Sequence, residues 1–186
     1  MKFDLDSGLF SGVTNQPSPN CDARPLGEVI DLLVIHAISL PPGQFGGPYI
    51  SDLFCNRLDG AAHPYFAEIH QMEVSAHLLV RRQGEVIQYV PLQLRAWHAG
   101  KSVFQGREGC NRFSIGIELE GCDDVPFEPV QYQVLVQLCR EIMRAYPAIT
   151  PDRIVGHSDI APGRKTDPGP YFDWSHFRQL LAEAVA

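Results

Sequence analysis

The 186-residue chain is 45% hydrophobic and 20% charged, a composition that supports one buried core and argues against disorder over most of its length. A formal net charge of -7 leaves no basic surplus to neutralise phosphates, which argues against nucleic-acid binding and against docking on an anionic membrane. The five cysteines, Cys21, Cys55, Cys110, Cys122 and Cys139, are odd in number and form no Cys-x-x-Cys pair. Neither a disulfide framework nor a zinc ribbon fits them, so reduced thiols and a cytoplasmic location are expected.

The chain opens on MKFDLDSGLF, where Asp4 and Asp6 interrupt any apolar run, so no secretory signal is expected there. No stretch reaches the roughly 20 apolar residues that span a bilayer. Residues 1–25, rich in Ser, Pro and Asn, are expected to wrap the surface as an irregular arm. The run Val29 to His36 is β-branched and nearly all apolar, and reads as a central strand buried on both faces, with His36 at its C-terminal end. Residues 40–64 form a Gly- and Pro-rich excursion with room for one helical turn near Ile50 to Phe54, long enough to serve as a cleft wall or lid.

Two strands follow, Ala76 to Arg82 and Glu85 to Val90, joined by a tight turn at Gln83-Gly84. Ser114 to Glu120 is a further strand, with Ile115, Ile117 and Leu119 on one side and Gly116, Glu118 and Glu120 on the other. Pro129 to Tyr146 carries Val134, Leu138, Ile142 and Ala145 at helical spacing and is stopped by Pro147. A short strand over Arg153 to His157 and a last helix over about Ser175 to Ala184, capped by Asp173 or Ser175, complete the order. The expected fold class is α/β, a central mixed sheet with helices on its faces, in a single monomeric domain over 1–186.

Two of the seven histidines, His36 and His157, stand at strand ends followed by turn-rich loops, where side chains project toward the rim of a sheet. The loop after His157 holds Asp159, suited to bonding turn amides, and Asp167, held extended by Pro168. Two imidazoles and one carboxylate leave a fourth tetrahedral position open, the pattern of a catalytic rather than a structural zinc. Glu118 or Glu120, on one side of their strand, could move the proton of an attacking water; spacing does not separate them. Lys165, two residues before Asp167, could stabilise charge on an attacked carbonyl oxygen.

The segments Ser-Ile-Gly-Ile-Glu-Leu-Glu-Gly (114–121), Ala-Trp-His-Ala-Gly-Lys-Ser (96–102) and Gly-His-Ser-Asp-Ile-Ala-Pro-Gly-Arg-Lys-Thr-Asp-Pro-Gly (156–169) resemble the zinc N-acetylmuramoyl-L-alanine amidases, a fold group shared with peptidoglycan recognition proteins. The resemblance is nearest to the short, cytosolic AmpD-like branch. It implies hydrolysis of the amide between the lactyl group of 1,6-anhydro-N-acetylmuramic acid and L-Ala of the stem peptide. It also implies Zn2+ held by His36, His157 and Asp167, with Glu118 as general base and Lys165 as transition-state stabiliser. Trp97, Tyr65, Arg107 and Asn111 are expected to meet an anhydromuropeptide, with Arg112 a further candidate for its carboxylates. His77 and His98 are expected to be supporting or structural. A non-catalytic muropeptide-binding protein of the same fold is the alternative; such relatives lose a zinc ligand, and all three candidate ligands are present here.

Overall fold

Runs of β-branched and long aliphatic residues at Leu32–Ile38 and Ser114–Glu120 favour extended backbone, and both strands lie deep in the molecule. The computed structural model describes residues 1–185. In its six-stranded sheet these two runs are β2 (Leu32–Ile38) and β5 (Ser114–Glu120). The others are β1 (Thr14–Asn15), β3 (Leu78–Val80), β4 (Val86–Gln88) and β6 (Ile154–Gly156). The order across the sheet is β6-β2-β5-β3-β4-β1. All pairings are parallel except the β3–β4 hairpin, so the sheet is mixed, as expected.

Side-chain alternation gives β2 and β5 two different faces. Leu33, Ile35, Ile115, Ile117 and Leu119 pack with Leu135, Leu138, Cys139 and Ile142 of α3 (Pro129–Ala145) and with Phe177 and Leu181 of α5 (Trp174–Val185). Burial of each such side chain contributes roughly 1.5–3 kcal/mol. The helix α3 begins at a capping box, in which Glu128 and Gln131 exchange hydrogen bonds with each other's backbone N–H groups. The cap of α5 is Asp173, whose carboxylate accepts from the His176 N–H.

The opposite face carries Leu32, Val34 and Leu79, His36 and Glu118, and is covered by loops and by the short helices α1 (Tyr49–Phe54), α2 (Pro64–Ile69) and α4 (His157–Ile160). All seven residues of β5 are buried, so the Glu118 side of that strand is not a solvated face.

Several elements differ from the sequence reading: α2 was not expected, and the short strand expected over Arg153 to His157 ends at Gly156, with His157 opening α4. The first strand starts at Leu32, because Val29 stays exposed and the Asp31 carboxylate turns to Arg107 and Arg153. The hairpin strands are shorter, with the chain turning through Gly84 at φ +83°, a conformation glycine adopts freely. The N-terminal arm is not irregular throughout: Lys2–Asp4 pairs with Leu9–Ser11, Thr14–Asn15 joins the sheet edge, and Cys21–Ala23 pairs with Leu94–Ala96. Two- and three-residue strands are too short to leave a period in sequence. Arg24 ties the arm down by donating to the carbonyls of Leu92, Asn111, Arg112 and Ser114.

Four imidazoles, those of His36, His77, His98 and His157, lie inside this fold. Burial, followed by the nearby Arg24 charge, lowers His77 to about 3, and burial with its neighbouring imidazoles holds His98 well below the ordinary histidine range. The His77 and His98 rings are neutral when folded and free to protonate when unfolded, so the unfolded chain binds more protons below about pH 6.5. Stability of the metal-free protein is therefore fully present above that pH and falls as pH drops toward 3. Urea midpoints measured from pH 7 to 4.5 in a chelator are expected to fall steadily; a flat profile would contradict neutral burial of these rings.

Candidate metal centre and cleft

The parallel pairing of β2 and β5 sets His36 directly beside Glu118 in register, on the face away from α3. β6 pairs on the other side of β2 and ends at Gly156, so His157 opens α4 next to His36. The carboxylate of Asp159 closes this turn by accepting from the Gly156 N–H at 2.7 Å, the turn-bonding role its position suggested. The Ser158 N–H donates to the Asp167 carbonyl at 2.9 Å, which folds the 161–169 loop back and brings Asp167 to the two imidazoles.

His36 Nδ1 and His157 Nδ1 are 3.0 Å apart, and Asp167 Oδ2 lies 3.2 Å from the first and 3.0 Å from the second. Among the described residues this is the one group of three His, Cys, Asp or Glu side chains with donor atoms close enough to share a metal ion. Burial lowers His36 to about 4 against the pull of Asp167, so its ring is neutral and able to ligate. The donor set, two imidazole nitrogens and one carboxylate oxygen, fits a divalent cation.

Glu118 shares the site. It is buried, its Oε2 has no hydrogen-bond partner among the described residues, and burial followed by the Asp167 charge raises its carboxyl well above the ordinary range, with Lys165 opposing. Glu120 is engaged elsewhere, accepting from the Gly46 and Arg82 N–H groups and from the Arg81 guanidinium. That contrast separates two carboxylates that spacing alone left equivalent.

A cleft of about 490 Å³ opens over these groups. His36, Glu118, His157, Lys165 and Asp167 line its floor, and Tyr65 and Trp97 stand in its wall. Leu40, Pro42, Leu53 and Phe54 from the 40–64 excursion line it as well. Arg107, Arg112 and Asn111 are not among its lining residues. The Arg107 guanidinium lies 3.8 Å over the Phe113 ring and donates to Glu28 and Asp31, so it braces the start of β2. Arg112 donates to the Glu108 carbonyl, and Asn111 Oδ1 accepts from the His98 and Ala99 N–H groups. Sequence reasoning passed over Ile69, Met72 and Val74, which extend the apolar wall, and Arg164, which lines the cleft beside Lys165. Ser114, also passed over, shares the parity of Glu118 on β5, a signal that could have found it.

The family model for N-acetylmuramoyl-L-alanine amidase matches residues 26–170, which span the whole site. The chain belongs to this amidase family. It is an amide-bond hydrolase similar over most of its length to the 1,6-anhydro-N-acetylmuramyl-L-alanine amidase AmpD of Enterobacter cloacae, at 56% identity, with 95% of this chain and 94% of the relative covered. The crystal structure of a selenomethionine AmpD derivative superposes with a TM-score of 0.94 at 54% identity, covering 97% of this amidase and 99% of that chain. A solved complex of the Escherichia coli amidase AmiD with anhydro-N-acetylmuramic acid-L-Ala-D-gamma-Glu-L-Lys shares the fold at a TM-score of 0.60 and 34% identity, covering 84% of this chain and 60% of that one.

If the three donors form one centre, His157→Ala and Asp167→Ala should each lower divalent-metal affinity at least about tenfold, the loss that even an outer partner of a ligand causes. Metal content after gel filtration checks this; full occupancy in either variant would remove that residue from the centre.

Proposed function

We propose that this amidase hydrolyses the amide between the lactyl group of 1,6-anhydro-N-acetylmuramic acid and L-Ala of the stem peptide, with one zinc ion held by His36, His157 and Asp167. The observation that carries the reading is the convergence of three donor atoms beside a buried carboxylate with a free oxygen, at the floor of a cleft. The substrate follows from the printed activity of the AmpD relatives and from the muropeptide bound by AmiD. Donor separations of 3.0 to 3.2 Å sit close to the roughly 3.3 Å edge of a tetrahedron with zinc bonds of about 2.0–2.1 Å.

When bound, zinc supplies Lewis acidity that makes water acidic enough to lose a proton near neutral pH. Glu118, desolvated and with one oxygen unpartnered, takes that proton and delivers it to the leaving amine of L-Ala. Lys165 offers a fixed positive charge to the carbonyl oxygen as it becomes negative. The apolar wall around Tyr65 and Trp97 gives flat surface to the sugar and excludes water from the floor. No helix of the described residues is long and apolar enough to cross a membrane, and the five cysteines are free, which suits work in the reducing cytosol on recycled wall fragments.

Mass spectrometry of anhydromuropeptide incubated with zinc-loaded protein tests the reading. The expected products are anhydro-N-acetylmuramic acid and the intact stem peptide; cleavage within the peptide, or no cleavage, would contradict it. Glu118→Gln should keep its zinc yet lose about 10²–10⁴-fold in turnover, the usual worth of a proton-transferring group. Full activity in that variant would move the base to another residue.

A further inference from the structure

Behind both metal-facing imidazoles runs one short segment, residues 97–99. Ser114 Oγ lies 2.7 Å from the Cys110 carbonyl, which can only accept, so the hydroxyl donates there. Toward His98 Nε2, 3.1 Å away, the same oxygen is left to accept. A neutral His98 therefore carries its proton on Nε2 and presents a bare Nδ1. That Nδ1 is 2.8 Å from His36 Nε2, which must then donate. The polarity of the whole chain is thus set by one backbone carbonyl, and it ends with the lone pair of His36 Nδ1 aimed at the centre. On the other side, His157 Nε2 lies 3.3 Å from the Ala99 carbonyl, which also accepts from the Arg164 guanidinium at 2.7 Å.

The fold holds this segment in place. Asn111 Oδ1 accepts from both the His98 N–H, at 3.1 Å, and the Ala99 N–H, at 2.7 Å. Gly116 on β5 provides the room, since a Cβ there would come within 2.5 Å of the His98 ring.

We propose that His98 is a positioning residue which, with Ser114, locks His36 in the Nε2–H tautomer and so presents its Nδ1 as a metal donor. The inference rests on the reading of the site as a zinc centre. Outer hydrogen-bond partners of metal-bound histidines fix tautomer and ring orientation, and losing one weakens metal affinity about 10–100-fold.

Zinc affinity measured by chelator competition, with no substrate present, tests the lock. If the unaltered protein binds no zinc, the metal reading itself fails. If it binds zinc, His98→Ala should weaken affinity about 10–100-fold, whereas His98→Asn, whose Oδ1 can accept where Nδ1 did, should stay within about threefold of the unaltered protein. Unchanged affinity in His98→Ala, or equal loss in both variants, would overturn the lock while leaving the zinc centre standing. A second readout needs no variant that must fold: ¹⁵N–¹H correlation of the imidazoles in the zinc-loaded protein should place the His98 proton on Nε2, and a proton on its Nδ1 would overturn the proposal.

Discussion

The site depends on the register of two buried parallel strands. Pairing of β2 with β5 places His36 and Glu118 abreast. Alternation then points both away from the α3 core and into the cleft. A slip of one residue would turn His36 and Glu118 into the hydrophobic core and bring aliphatic side chains to the cleft floor. The same register that buries Ile35, Ile117 and Leu119 against α3 and α5 therefore also assembles the chemistry, and core packing and site geometry cannot be altered separately.

Burial sets the character of the site. His36, His98 and His157 are almost fully enclosed, and Glu118 sits beside them with an oxygen that nothing satisfies. An enclosed carboxylate and an enclosed lone pair are costly without a positive partner. A cation at the three converging donors would meet that cost, and the apolar wall would keep the surrounding dielectric low, where fixed charges act most strongly.

Much of this was legible in the residues. The apolar run before His36 announced a doubly buried strand, and Pro129 with the stripe of Leu138 and Ile142 announced the long helix. His36, His157 and Asp167 stood out because strand ends and a Pro-stiffened loop are where donors can be aimed. The choice of Glu118 over Glu120 was legible only through the family resemblance, since spacing puts both on one strand face. Its physical ground lies in tertiary contacts, with Arg81 and the Gly46 N–H reaching Glu120 from distant parts of the chain. The partners of Arg107 and Asn111, Asp31 and the 98–99 backbone, are fixed by tertiary contacts with no local period. The short strands of the N-terminal arm escaped for the same reason.

The central claim is that His36, His157 and Asp167 share one cation through Nδ1, Nδ1 and a carboxylate oxygen. Anomalous diffraction from crystals of the zinc-loaded protein, recorded on either side of the zinc edge, tests it most directly. A single peak about 2.0–2.2 Å from those three atoms is the expected result. A peak bonded through Nε2 of either ring, or seated away from Asp167, would contradict it.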